Sequence, residues 1–442
     1  MSKYLVSLVK YEEPLESARR AVELAGGLDR VGPGAKVFLK PNIVFWSAKA
    51  PFPKWGVITT SRLIHDMVLL LRERGVTDIT IGEGMVQGRA KDTTVTEHAF
   101  TTLGYHALRD KFGVRVIDAF TRPFVEKDLG DGVVLSFNQD ILESDFVIDL
   151  PVMKTHAQTR VSLGIKNLKG MIDIKSRKRC HNADPVRDLH FHIARLAQPM
   201  PPILTILDGI FTSEYGPSFD GNIHRRNILA ASWDVLSADL VGANLLGHDP
   251  AEVPYLTHAA ANQGRPLDLS DVEIRGERLA DLAQPHKWSF AYTPGDILPL
   301  PLAKRGIAGL EYRKYDTTLC TYCSAINGQV LTAIAQTWNG EPWDNVEVLT
   351  GKVMQPSPTA HHSILLGKCM YQAHKDNPAI KHKIPVKGCP PQPEQVLKAL
   401  HEAGIMADDQ VFAKLENLPA LYMKRYQDKP EFDEGLFQVK PE

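Results

Sequence analysis

The densest chemistry in this 442-residue sequence lies between Pro151 and Ile172, PVMKTHAQTRVSLGIKNLKGMI. Lys154, His156, Arg160, Lys166 and Lys169 fall within 16 residues, and the stretch contains no Asp or Glu. Thr155, Ser162, Gly164, Asn167 and Gly170 are interleaved with them. Lysine brings a compact charge with three donors, and glycine lets a backbone come close to a ligand. The stretch therefore suits an anion: a phosphate, a carboxylate or a developing negative charge. The plain alternative is a solvated basic loop. Against it stands the position, directly after the apolar run Phe146–Leu150, which reads as a buried strand. His156 is the expected proton donor and His181 the second choice, because histidine titrates near neutral pH. Lys154 and Lys166 are expected to stabilise an oxyanion. Lys40, Asn42, Glu83, Asn167, Lys169 and Asp208 complete the expected substrate-binding set.

A second chemistry sits near the C-terminal end. Cys320-Thr321-Tyr322-Cys323 is a C-x-x-C, followed by the separate Cys369 and Cys389. Four thiolates suit zinc or an iron–sulfur cluster, and free core cysteines are the plain alternative. Zinc sites usually pair two close C-x-x-C knuckles, and here only one pair is close. The Cys389-Pro390 step also fits iron–sulfur sites, so a [4Fe–4S] cluster is the expected cofactor. Full ligation by four cysteines favours electron transfer or structure over chemistry at an open iron. Cys180 reads as a plain buried residue.

Elements must then bring these residues together. Tyr4–Val9, Lys36–Leu39, Asp78–Ile81, Val114–Ile117, Val133–Phe137, Ile203–Leu207 and Asn227–Ala231 read as strands. Leu15–Ala25, Arg62–Gly75 and Asp239–Leu246 read as helices. Lys40 and Asn42 then fall at the C-terminal end of a strand, where open α/β sheets bind ligands. Asp208, Asp234 and Asp239 are candidate partners for the lysines, though each alone is more often a cap or turn residue. His190 and His192 are two apart and share no helix face, which argues against a metal pair. Val346–Leu349, Ser363–Leu366 and Lys383–Val386 read as strands that would carry the later cysteines to one sheet edge. Pro385 restricts the last of these to a short or edge strand.

The alternation predicts an α/β fold: a mostly parallel, doubly wound sheet with a smaller C-terminal α/β iron–sulfur module. The expected divisions are 1–265 for the α/β domain and 266–310 for a linker or covering segment. Residues 311–405 form the four-cysteine module, and 406–442 a tail that packs loosely or reaches a second subunit. Net charge is −1, with 43% hydrophobic and 23% charged residues. No global field draws the chain to nucleic acid or an anionic membrane. No apolar run approaches the ~18 residues of a membrane span, and the start of the chain lacks a secretory pattern. The expected compartment is the cytoplasm, where five cysteines stay reduced.

Two resemblances add to this. Lys40-Pro41-Asn42, Gly82-Glu83-Gly84, Leu150–His156, Gly164–Gly170, Asp208-Gly209 and Ser237-Ala238-Asp239 to Leu246-Gly247 resemble the domain-of-unknown-function family numbered 362, over roughly Val37 to Gly264. Many of its members carry ferredoxin-like cysteine runs after the domain, so the resemblance implies an iron–sulfur protein and names no substrate. The C-x-x-C, the lone cysteine and Gly388-Cys389-Pro390-Pro391 are similar to the proximal cluster site of nickel–iron hydrogenase small subunits. The last element is shared with the 20-kDa-type subunit of respiratory complex I. On that match the ligands are Cys320, Cys323, Cys369 and Cys389, and no cysteines remain for further clusters.

The leading expectation is an iron–sulfur oxidoreductase that holds an anionic small molecule and exchanges electrons with a donor protein such as a ferredoxin. An electron carrier or maturation factor that recognises a partner protein, and a non-redox isomerase or lyase with a structural cluster, are the alternatives. A homo-oligomer is compatible with each. No G-x-G-x-x-G follows a strand, so no nicotinamide or flavin fingerprint is visible.

Overall fold

The computed structural model describes residues 3–85 and 92–441. It divides into two compact units. The first comprises residues 1–176, 190–289 and 419–442, and the second residues 177–189 and 290–418.

The first unit is a mixed α/β fold built on a ten-stranded sheet. Its strands are β1 (Tyr4–Lys10), β2 (Lys36–Pro41), β3 (Asp78–Glu83), β4 (Arg115–Asp118), β7 (Phe146–Leu150), β8 (Val152–His156), β9 (Arg160–Ser162), β10 (Ile203–Glu214), β11 (Asn222–Ser232) and β12 (Val272–Gly276). The main path runs β12-β1-β11-β10-β7-β2-β3-β4, with β8 and β9 off it. The neighbours β10, β7, β2, β3 and β4 are parallel. The strand β11 runs against β10 and β1. Val133–Phe137, expected in this sheet, instead lies in β6 (Val134–Asn138), which pairs with β5 (Phe124–Asp128) in a separate two-stranded ribbon.

Parallel strands are buried on both faces. Alternate residues of β10 divide accordingly: Leu204 and Ile206 join the cluster that holds helices Glu16–Leu24 and Ser61–Glu73, whereas Leu207 lies under Gly242 of helix Val235–Leu245. Residues 266–289 supply β12, which pairs in register with β1.

The tail contradicts the expectation of loose packing. Tyr426, Phe432, Phe437 and Val439 are buried in the core of the first unit. Trp55, 1% exposed, packs its ring against Tyr426 and Phe432 and donates from Nε1 to Asp433 O at 3.1 Å. The tail's aromatic spacing matches no helix or strand period, so periodicity did not reveal that burial.

The second unit holds a four-stranded parallel sheet in the order β13 (Leu310–Glu311), β14 (Val346–Leu349), β15 (His362–Leu366), β16 (His382–Val386). Pro385 lies on the edge strand β16, where a missing N–H is tolerated. Helices Thr321–Thr337 and Pro393–Glu402 cover one face. Helix Lys368–His374 packs Met370 against Leu349 and Leu365 on the other.

Replacing Phe437 by Ala is expected to destabilise the first unit by about 3–5 kcal/mol in urea unfolding. A loss within about 0.5 kcal/mol, the range of ordinary surface changes, would show that the tail does not belong to this core.

Candidate functional site

The sites are built at strand ends. β2 ends in Lys40-Pro41 and β3 in Glu83. The Lys40 ammonium is fully buried and donates to Glu83 Oε2 at 2.8 Å and Pro41 O at 2.7 Å. Glu83 Oε2 also accepts from Ile43 N at 2.9 Å, and Oε1 from Gly84 N at 2.7 Å. Lys40, expected to bind an anionic substrate, has its ammonium paired with Glu83 from within the chain. Gly170 explains its place in the motif, because a Cβ there would lie 2.3 Å from Glu83 Oε1 and 2.7 Å from Lys40 Nζ.

From this pair runs a chain of amides. Lys154 Nζ donates to Asn42 Oδ1 at 2.5 Å and to Val57 O at 2.7 Å. Asn42 Nδ2 donates to Asn167 Oδ1 at 3.0 Å. Asn167 Nδ2 donates to Asp149 Oδ1 at 2.8 Å. A carboxylate can only accept, so Asp149 orients both amides and leaves an oxygen facing Lys154. Asp149 Oδ2 is buried without a hydrogen-bond partner among the described residues.

Burial dominates the electrostatics. It pushes the Lys154 ammonium down to about 7, against the opposing Glu83 charge and with help from Lys40. It pushes the Asp149 carboxyl up to about 7, against Lys40 and the Asn167 hydrogen bond. Half-buried Lys166, on the short helix Gly164–Asn167, is held well below the usual lysine range by desolvation and the charges of Lys169 and Lys154. A lysine amine near neutral can accept or give a proton at physiological pH.

The remaining candidates are more dispersed. His156 shares a strand face with Lys154, two residues on, and its Nδ1 accepts from Gln158 N at 3.1 Å. Asp208 accepts from Thr60 N at 2.6 Å and Ile210 N at 3.1 Å; the adjacent Thr59 Oγ1 accepts from Asn42 N at 2.7 Å. Asp239 caps Gly164 N and Ile165 N at 2.6 and 3.0 Å. Asp234 caps its own helix through Ser237 N. His181 belongs to the second unit, where its Nδ1 lies 2.7 Å from Thr317 O. Asp149 was missed among the site residues; its signal was a lone carboxylate in the apolar run FVIDL.

In the second unit the cysteines gather at the C-terminal edge of the sheet. Cys320 caps helix Thr321–Thr337, Cys369 follows β15 and Cys389 follows β16. The Cys323 thiol is hydrogen-bonded to Cys320 and so holds that thiol down to about 5. Cys323 itself is pushed up by that bond, by burial and by the charges of Cys320, Cys369 and Cys389. Cys369 is raised by burial, and the Lys352 and Lys178 ammonium groups oppose this. Lys178 Nζ lies 3.5 Å from Cys389 Sγ. Gly367 keeps the space beside Cys323 clear, since a Cβ there would lie 3.0 Å from its Sγ. Among the described residues, no three His, Cys, Asp or Glu side chains close around a single metal ion.

The first unit is thus a mixed α/β domain with a buried lysine–carboxylate–amide network at the C-terminal ends of parallel strands. Residues 37–244 match the family model described as "Domain of unknown function (DUF362)". The thylakoid-associated protein sll1697 of Synechocystis sp. is 28% identical over 248 residues, covering 55% of this chain and 73% of that relative. The lactate racemase apoprotein from Thermoanaerobacterium thermosaccharolyticum superposes with a TM-score of 0.34 at 16% identity, over 55% of this chain and 57% of that one. A likeness that loose carries no argument about activity. No helix among the described residues is long and apolar enough to cross a membrane.

Two outcomes are expected at the lysine network. Glu83→Gln leaves Lys40 as an uncompensated buried charge and should destabilise by about 3–5 kcal/mol in urea unfolding. Lys154 should also imprint a pH dependence. Folded, it titrates at about 7, against 10.5 for the ordinary side chain. Between those values the unfolded chain binds more protons, so this group makes stability rise with pH over that window. Lys154→Met should remove that rise while leaving the fall that Asp149 contributes as pH climbs from about 4 to about 7. Parallel stability–pH curves for the two proteins would show that Lys154 is charged throughout.

Proposed function

We propose that this protein is an iron–sulfur oxidoreductase in which Cys320, Cys323, Cys369 and Cys389 hold a [4Fe–4S] cluster. The observation that carries it is that four cysteines spread over 70 residues of sequence meet at one sheet edge, with the Lys178 ammonium 3.5 Å from the Cys389 sulfur. The donor set is thiols alone, which suits soft iron–sulfur ligation. When bound, such a cluster supplies one-electron exchange.

The chain's own residues do the rest. The DUF362 domain receives an anionic small molecule, a carboxylate or phosphate. Lys169 supplies positive charge, Lys166 is a second amine whose charged form burial disfavours, and His156 is an additional proton donor. Lys40 takes no direct part, because Glu83 already neutralises it. Lys154 Nζ holds or releases a proton near neutral pH, oriented by Asn42 and Val57 O. A ferredoxin-type donor protein, which would supply the electrons, and a reducing, cytoplasmic compartment, which keeps the thiols reduced, belong to the same reading.

The near-neutral Lys154 also favours a second reading: acid–base chemistry at this site alone, with the cluster structural. Cys389→Ala separates the two. A folded, cluster-free variant that still turns over would favour the second.

The primary test is the metal content of anaerobically purified protein, with an EPR spectrum before and after dithionite. About four irons and four sulfides per chain and a signal on reduction are expected. Zinc without iron would overturn the reading.

A further inference from the structure

We infer that Lys178 sets the reduction potential of the four-cysteine site by donating to the sulfur of Cys389. This rests on the iron–sulfur reading above and deepens it.

Lys178 reaches the cysteines from far away in sequence, 211 residues before Cys389. It lies in the segment 177–189, which belongs to the second unit although the flanking sequence belongs to the first. Its Nζ has two neighbours at the site. It lies 3.5 Å from Cys389 Sγ and 4.8 Å from the centre of the Tyr322 ring, inside the C-x-x-C. Its own backbone carbonyl accepts from Lys352 Nζ at 3.3 Å, and the same ammonium donates to His181 O. Lys352 is fixed in turn by its backbone N–H, which donates to Thr318 Oγ1 at 2.8 Å, two residues before Cys320. The arrangement therefore ties the last turn of helix Ile174–Cys180 to the loop before the first cysteine and to the sulfur of the last.

A donor to a ligating sulfur, carrying positive charge, stabilises the state with more negative charge. Reduction adds one electron to the cluster and no other atom. Lys178 therefore favours the reduced state and raises the potential. Solvent weakens the effect at this half-exposed position. Lys387 is the natural control: its ammonium lies 4.5 Å from the centre of the Tyr371 ring, just two residues before Cys389.

The experiment is an EPR-monitored potentiometric titration of anaerobically purified full-length protein, wild type and variants. Lys178→Ala and Lys178→Gln should each shift the reduction equilibrium about tenfold toward the oxidised state, about 59 mV for one electron. Lys178→Arg should restore most of it, and Lys387→Ala should change it far less. Lys352→Met should move the potential in the same direction as Lys178→Ala by releasing the turn. Intact clusters with an unchanged potential in Lys178→Ala and Lys178→Gln would overturn this inference alone. An equal shift in Lys387→Ala would also overturn it, in favour of a diffuse charge effect. Loss of the cluster in both Lys178 variants would overturn it in favour of a structural role. Absence of iron and sulfide from the wild type would instead overturn the underlying iron–sulfur reading.

Discussion

The first unit is organised around one buried ion pair, Lys40 with Glu83. Burying either charge alone would be strongly unfavourable, so each fixes the other. The pair joins the C-terminal ends of two adjacent parallel strands and also binds the backbone of Ile43 and Gly84. Around it Asn42 and Asn167 have no freedom to reverse their amides, because Lys154 and Asp149 stand at opposite ends of the chain they form. The charge of Lys40 is thus spent within the fold, and the ionisable groups poised near neutrality are Lys154 and Asp149.

Much of this was legible in residue types. Lys-Pro-Asn, Gly-Glu-Gly, Lys-Thr-His and Lys-Asn-Leu-Lys-Gly each pointed to a strand end or a close backbone approach, and the structure brings Lys40, Asn42, Glu83, Lys154 and Asn167 into one network. Their roles were not legible. A lysine at a strand end reads as waiting for a ligand, and nothing in one dimension shows that Glu83 meets Lys40 from 43 residues away. Asp149 was hidden because its strand neighbours are apolar. The edge strand of the second unit was legible from Pro385 alone. The approach of Lys178 to Cys389 was not, since it depends on a short segment crossing from one unit to the other.

Both units use the same device at different scales. Parallel strands deliver side chains from distant sequence to one edge, and glycine clears the space beside them. In the first unit Gly170 makes room for the ion pair. In the second, Gly367 makes room beside the Cys323 sulfur. Charge is handled differently in each. The lysine network is neutralised internally by carboxylates, whereas at the cysteine edge the Lys178 ammonium stands beside the Cys389 sulfur.

The interleaving of the units bears on synthesis. The core that surrounds Trp55 includes Phe432 and Phe437. During translation, then, the first unit's apolar core waits uncovered on one side until residues 419–442 have left the ribosome. The second unit, whose residues 290–418 are made earlier, has its own sheet complete by then. The first unit therefore closes only after the second has been made, although most of its own residues precede it in sequence.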